Sequence, residues 1–374
     1  MSKRTNGIVF VSDKREEKQF LEFPYQFYKG DDHWVPPLRL MQKDILNRNK
    51  NPFYENAEMA MFLAESNGKI AGRIAAIHNR SYNEHSGTNT GFFGFFECID
   101  NQATANLLFK VAEDWLKLRD VDAIYGPLSP SMMGEIGVLV DGFEHSPMFL
   151  MPYNKPHYDK LITQAGYAKE IDLLAYYVTD KATELDRSKK AETLVQRRYP
   201  QLTVRKINMR NWKQELVTVR EIFNKAWANN WGFAPVSAEE FEFLVSDLRY
   251  ILDPDLAIVV ENDGVPVAFS IGLADINMIL KDMNGNLLPF GWLKLLRGIK
   301  KLGVMRVPLM GVLPEFHGKG IDGLLNLHTI RNGLAKGFYA AEFSWLLETN
   351  TGIINVAERF GAKLTKRYRV YKKQ

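Results

Sequence analysis

The sequence holds one cysteine, Cys98, among 374 residues, so no disulfide can form within the chain. Such scarcity fits a reducing compartment. Apolar residues make up 46% of the chain, enough for an ordinary globular core, yet no window reaches the roughly 20 consecutive apolar residues of a membrane span. The first residues, MSKRTNGIVFVSDKREEKQF, also lack the apolar stretch of a signal peptide. Charge of one sign is in short supply. A net +4 is too small at this length to predict a nucleic-acid partner, and no basic stripe accompanies the aromatic run GFFGFFE (91–97). The seven histidines show no H-x-x-x-H or Cys/His spacing, so no metal is expected. The reading is of a cytoplasmic globular protein, with peripheral contact at the inner membrane surface left open.

What is present points to two halves. Residues 180–200, DKATELDRSKKAETLVQRRYP, carry ten charged residues among 21, the composition of an exposed connector. The expected division is therefore 1–179, a connector at 180–200, and 201–374. Each half contains two apolar runs around a two-residue turn: MAMFLAESNGKIAGRIAAIHN (59–79) and LAIVVENDGVPVAFSIGLADIN (256–277). Asn-Gly and Asp-Gly are strong hairpin signals because both turn positions need positive φ. Each half also ends alike, with a helix that starts at an asparagine, breaks at Gly166 or Gly361, and resumes as a strand. Gly68 and Gly166 lie 98 residues apart, Gly264 and Gly361 97, a spacing best explained by duplicated domains. In both halves the order is hairpin, strand, helix, strand, helix, final strand, and Ser237 with Glu240 forms a capping box before one of the opening helices of the second half. The expected class is α+β.

Residues 312–325 read VLPEFHGKGIDGLL, an apolar run ending near a proline, then a Gly-Lys-Gly turn, then a helical pattern. Glycines let a backbone approach a ligand closely, and loop amides followed by a helix N-terminus suit phosphate. This is not a Walker loop, since GxxxxGK[ST] is absent. By itself the segment is equally compatible with a plain strand-turn-helix joint. The first half has no glycine loop, because NQATANL follows FFECID.

The element order around V-x-P-x-x-x-G-K-G-I resembles the GNAT acyltransferase superfamily, in which a strand splays from its neighbour and the next loop wraps the pyrophosphate of acyl-coenzyme A. The family pattern Gln/Arg-x-x-Gly-x-Gly/Ala falls on His317, Gly320 and Asp322, so the central glycine alone matches. The Asn…Tyr-Glu-Lys-Leu-Gly-Phe ending falls on NTGIINVAERFGA, where Asn350 and Gly361 match and the thiolate-protonating tyrosine falls on Ala357; Tyr368, Tyr371 or water would have to serve instead. WVPPL, NPF, GRIAA, GFFGFFE, LVDGF, NWGF and ADIN look like a bacterial family of two tandem GNAT-like domains. Each domain would be a mixed central sheet with a splayed strand, flanked by helices, and the first would be degenerate. Some GNAT-type enzymes of comparable layout join a long acyl group to a sphingoid amine in bacterial ceramide synthesis.

The resemblance implies acyl transfer from acyl-coenzyme A to a small-molecule or lipid amine. That chemistry needs a base, an oxyanion donor and a departing thiolate. The donor would be backbone N–H near Met310, the base Glu97, Asp275 or Glu348. Coenzyme would lie on Val312, Leu313, His317, Gly318, Lys319, Gly320, Ile321 and Asn350, and the acceptor against Asn230, Trp231, Phe233 and Asn277. Cys98 reads as an inert buried thiol. In WLKLLRGIKKLG (292–303) an apolar stripe beside cations reads as an interfacial helix or as a helix packed on its own domain. An aminoacyl-tRNA-dependent ligase of Fem type and a non-catalytic ligand-binding protein share the fold and stay open as alternatives.

Overall fold

The structure, a computed structural model, describes residues 4–5, 7–182 and 185–374. The chain packs as two compact units. One joins the residues up to Leu173 with Ile279–Leu293 and Lys366–Gln374; the other joins Leu174–Met278 with Lys294–Thr365.

In the first unit, strands Ala57–Ser66 and Lys69–Asn79 form an antiparallel hairpin. Its turn, Asn67-Gly68, has φ of 50° and 74°, the doubly positive pair that a twisted two-residue hairpin demands. Strand Thr90–Cys98 continues the sheet antiparallel to Lys69–Asn79 and pairs in parallel with Ala123–Gly126 over Thr90↔Ala123, Gly91↔Ile124 and Phe92↔Tyr125. Helix Gln102–Lys117 covers this sheet, and Leu108, Phe109, Ala112 and Leu116 share a core with Ile74, Phe93 and Phe96. The phenylalanine run is thus strand core.

The second unit repeats the plan. Its hairpin, Ala257–Asn262 with Val265–Ala274, turns at Asp263-Gly264 with φ of 50° and 78°. Strand Val304–Val312 lies antiparallel to Val265–Ala274 and parallel to Ala340–Leu347 from Val304↔Ala340 to Val307↔Phe343. The next residue, Pro308, has no N–H with which to extend the ladder. The Ser237 hydroxyl accepts from the Glu240 amide at 3.1 Å, capping helix Ala238–Val245 as its sequence requires. The charged stretch after residue 180 is mostly helix, Leu185–Arg198, and Glu192 ties it to His328 and Arg331 on helix Ile321–Ala335 at 3.0 and 2.6 Å.

The compact units are not a simple cut at 180–200: Ile279–Leu293 joins the first unit, and the ends of two strands change sides. The chain's last strand, Lys363–Lys373, gives its residues from Lys366 to the first unit. There Tyr371 faces Gly126, and Tyr368 and Arg369 face Leu139 and Val138. Strand Ala168–Thr179 gives its end, from Leu174, to the second unit. The halves therefore do not each keep their own final strand. A charge cluster accompanies the exchange. The Asp172 carboxylate, 1% exposed, accepts from Arg369 Nε at 2.8 Å and Arg367 at 3.0 Å, with Lys169 at 3.1 Å. A buried carboxylate is tolerable only with such partners, and they hold Asp172 below its ordinary pKa against the upward push of burial.

Because the folded-state pKa of Asp172 is depressed, its contribution to stability is present above the unfolded value near 4 and is lost as pH falls through the folded value. Asp172→Ala should cost about 3 kcal/mol at pH 7 and much less in acid. Urea unfolding at pH 7 and pH 3 measures both, and a variant equally affected at the two pH values would contradict the charge account.

Candidate functional site

In the second unit the parted strands leave backbone groups aimed into the gap. The Leu313 amide donates to the Val267 carbonyl at 3.0 Å. Antiparallel strands alternate the side to which successive residues point their N–H and C=O, so Met310 and Val312 point the other way, toward the opening past Val307. Their carbonyls agree: Met310 O accepts from Trp227 Nε1 and Val312 O meets His317 Nε2, each at 2.9 Å. Of the two backbone positions expected to hold coenzyme, Val312 faces the gap, while the amide of Leu313 is spent inside the sheet.

The loop after this strand ends in Gly318 (φ 73°) and Gly320 (φ 78°), where a side chain would be strained. Gly320 is the N-cap of helix Ile321–Ala335 and supplies no side-chain cap, so the first-turn amides face outward with the positive end of the helix dipole. A Cβ on Gly320 would come 2.8 Å from Val195 Cγ2 on the connector helix. Lys319 Nζ sits 4.2 Å from the centre of the Phe316 ring, and Ile321 is buried beneath the loop.

The other expected residues divide between exposed and structural positions. Asn350 caps helix Thr351–Arg359 by accepting from the Ile353 amide at 3.2 Å. Ala357 is buried. Tyr368 and Tyr371 are fully buried in the first unit, Tyr371 donating to Asp159. Asp275 and Asn277 are buried too, and the Asp275 carboxylate accepts from the Asn277 amide at 3.3 Å. Glu348 is half-buried, just past the end of the diverging strand Ala340–Leu347. Asn230 and Phe233 belong to one turn, Phe233 N donating to Asn230 O at 3.2 Å, with the Phe233 ring 5.9 Å from Phe223. Trp231 is half-buried in that turn. Trp227, in the same AWANNWGF stretch, is the side chain that reaches the splayed strand.

The first unit has the same parting of strands and closes it internally. Its Ile99 amide donates to Ala71 O at 3.0 Å, as Leu313 does to Val267, so Cys98 matches Val312. There the Cys98 amide donates to Tyr158 OH at 3.1 Å and its carbonyl meets His157 Nε2 at 2.9 Å. Phe95 N donates to Ser129 Oγ at 2.8 Å. The following helix is capped by Asn101, which accepts from the Thr104 amide at 2.9 Å. Beside the closed gap lies Glu97, whose Oε2 accepts from Tyr28 OH at 2.6 Å and Tyr158 OH at 2.5 Å, with Arg73 at 3.7 Å from Oε1. Burial holds the Glu97 carboxyl above its ordinary pKa, against the pull of Arg73 and both hydroxyls. Burial likewise pushes the Cys98 thiol up to about 12, which leaves it inert at neutral pH.

No family model matches the chain. Two relatives match along nearly its whole length. Protein YghO of Escherichia coli K12 is 39% identical over 368 residues, which is 97% of this chain and 94% of that protein. The bacterial ceramide synthase of Caulobacter vibrioides is 35% identical over 376 residues, 98% of this chain and 97% of that one. Among solved structures, a tandem GNAT protein from the clavulanic acid biosynthesis pathway aligns over 98% of this chain and 97% of its own with a TM-score of 0.58 at 12% identity. A GCN5-related N-acetyltransferase from Anabaena variabilis aligns over 98% of this chain and 72% of its own, with a TM-score of 0.52 at 10% identity. Identities this low speak for the fold alone, and that fold is a pair of GNAT acyltransferase domains. The chain belongs to the bacterial tandem-GNAT family that includes Protein YghO and the bacterial ceramide synthase. Among its described residues no helix is long and apolar enough to cross a membrane.

Tyr158 serves both the Cys98 amide and Glu97. Tyr158→Phe should therefore destabilise the protein by about 2 kcal/mol, the cost of stranding buried polar groups. A loss under about 0.5 kcal/mol in denaturant unfolding would mean that the hydroxyl does not close this gap.

Proposed function

We propose that the protein is an acyl-coenzyme A-dependent N-acyltransferase whose donor binds residues 201–374, the first domain being a degenerate copy. The carrying observation is the contrast between the units. Where the first closes its parted strands with Tyr158 and caps its helix with Asn101, the second has Met310 and Val312 facing the gap and a glycine at the helix start. Those amides suit the extended arm of a coenzyme, and the Gly318-Lys319-Gly320 loop suits its pyrophosphate. An N–H near Met310 or Val312 would receive the developing oxyanion. Asp275 is committed to Asn277, so Glu348 is the second-unit carboxylate best placed by exposure to take the amine proton. With Ala357 in the tyrosine position, the thiolate would be protonated through water. The relative described as a bacterial ceramide synthase supports a long-chain or lipid amine as acceptor.

Lys319→Glu, which leaves the backbone alone, and Gly320→Leu should each weaken coenzyme A binding at least tenfold, about 1.4 kcal/mol. Calorimetry on the wild type should give one coenzyme per chain. Unchanged affinity in both folded variants would discard the loop, and two coenzymes per chain would discard the degenerate first domain. Tight binding without turnover of any amine would favour the non-catalytic reading that Ala357 raises.

The acceptor's class bears on residues 292–303. In helix Gly291–Gly298, Trp292 and Leu296 lie one turn apart and both are exposed, and Leu288 and Phe290 before them are 77% and 72% exposed. Lys294, Arg297, Lys300 and Lys301 are exposed as well. Apolar side chains beside cations suit an anionic lipid surface. Weak, salt-sensitive binding to anionic liposomes is expected, abolished by reversing Lys294, Arg297 and Lys300 to Glu. Equal sedimentation of wild type and variant with vesicles at low salt would remove this contact.

A further inference from the structure

The connector helix Leu185–Arg198 is held against helix Ile321–Ala335 at two points. Glu192 meets His328 and Arg331 at 3.0 and 2.6 Å, roughly two and three turns into that helix. One turn further along the connector, Val195 lies at the helix start, where a Cβ on Gly320 would come 2.8 Å from Val195 Cγ2. The two helices therefore run antiparallel. The connector's last turn projects past Gly320, over the Gly318-Lys319-Gly320 loop.

Helical spacing decides which side chains arrive there. Residues three and four positions after Val195 share its face, whereas the residue two positions after it points away. Arg198 and Tyr199 therefore lie on the loop side and Arg197 on the opposite side. The Tyr199 amide still donates to the Val195 carbonyl at 2.8 Å, so this turn is complete. Arg198 is exposed and Tyr199 half-buried, with the guanidinium 5.6 Å from the centre of the ring. No carboxylate pairs with Arg198 among the described residues. Glu192, on the same face one turn back, is already engaged by His328 and Arg331. A cation and an aromatic ring held one turn beyond a loop suited to phosphate call for a ligand with a second anion and a flat apolar face.

We infer that the connector is part of the coenzyme site: the Arg198 guanidinium takes the adenosine 3′-phosphate, and the Tyr199 ring lies on the face of the adenine. The inference rests on the acyl-coenzyme A reading and says which donors that site accepts. The arm suited to Met310 and Val312 occurs in any phosphopantetheine, whereas a 3′-phosphate beside a base belongs to the free coenzyme.

The test is calorimetric titration of the full chain with coenzyme A and with 3′-dephospho-coenzyme A. Wild type should bind coenzyme A about fivefold more tightly, less than a buried charge-assisted bond gives, because Arg198 is exposed. Arg198→Ala should bind the two alike, with unchanged affinity for 3′-dephospho-coenzyme A, and Arg197→Ala should keep the wild-type preference. Tyr199→Leu should weaken both at least threefold and spare 4′-phosphopantetheine. Wild type without a preference, Arg198→Ala that keeps it, Arg197→Ala that loses it equally, or Tyr199→Leu that binds both like wild type would overturn the inference. Lys319→Glu, in the loop, should weaken both ligands and leave their ratio intact. Absence of coenzyme binding by wild type would sink both readings, whereas weakened binding in Lys319→Glu with a wild-type preference in Arg198→Ala would remove the connector alone.

Discussion

Two parallel strands that part midway along their length create an obligation. Each amide past the fork has lost its ladder partner, and a buried amide without a partner costs free energy comparable to a lost hydrogen bond. The rest of both units is arranged around that obligation. In the first, the fork after Phe92↔Tyr125 is answered from inside by Ser129 on Phe95 and Tyr158 on Cys98. In the second, the fork after Val307↔Phe343 has side chains on its carbonyls, Trp227 on Met310 and His317 on Val312. Occupying carbonyls while aiming amides at the gap shapes a surface of donors. The helix that follows each fork obeys the same division, self-capped by Asn101 in one and begun by Gly320 in the other. Two separate features thus differ in the same direction, which a random drift in one loop would not produce.

Where the chemistry is local, the sequence was a good guide. Asn-Gly and Asp-Gly turned as their φ preferences require, Ser237 and Asn350 capped the helices they precede, and Gly361 closed its helix at φ 82°. The hidden part is non-local. Nothing in KLTKRYRVYKK says that its later residues pair with Ala123–Gly126 and Val138–Asp141 rather than within their own half, because alternation fixes a strand's faces but not its neighbour. Tyr158 and Trp227 were likewise missed. Each lies far in sequence from the backbone atom it contacts, and its aromatic ring fits a core position equally well. Glu97 stands out for ending an aromatic run, but its tyrosine partners lie 69 and 61 residues away and no local pattern marks them.

The partition of Asp172 follows the same logic of unmet need. Its carboxylate lies in strand Ala168–Thr179 and is neutralised by Arg367 and Arg369 from the end of the chain. A buried acid whose partners arrive last in sequence makes the first unit incomplete until the final strand is in place. The exchange of strands therefore couples the folding of the first unit to its last strand, and a truncation before Lys366 would leave the buried Asp172 with Lys169 but neither arginine, as well as remove a strand.

For the proposed coenzyme, the phosphate loop by itself is a weak anchor. The helix dipole offers roughly half a positive charge at its start, and Asp322 in the first turn offsets part of it for any incoming anion. Lys319 supplies a compensating charge, yet it rests over the Phe316 ring and would keep much of its hydration. Affinity would then have to be spread along the ligand, with the Met310 and Val312 amides contributing directional bonds that a free phosphate cannot use. A site built this way discriminates by the length and amide pattern of the bound arm more than by its charge. This is the selectivity that the proposed use of acyl-coenzyme A would require in the presence of simpler phosphates.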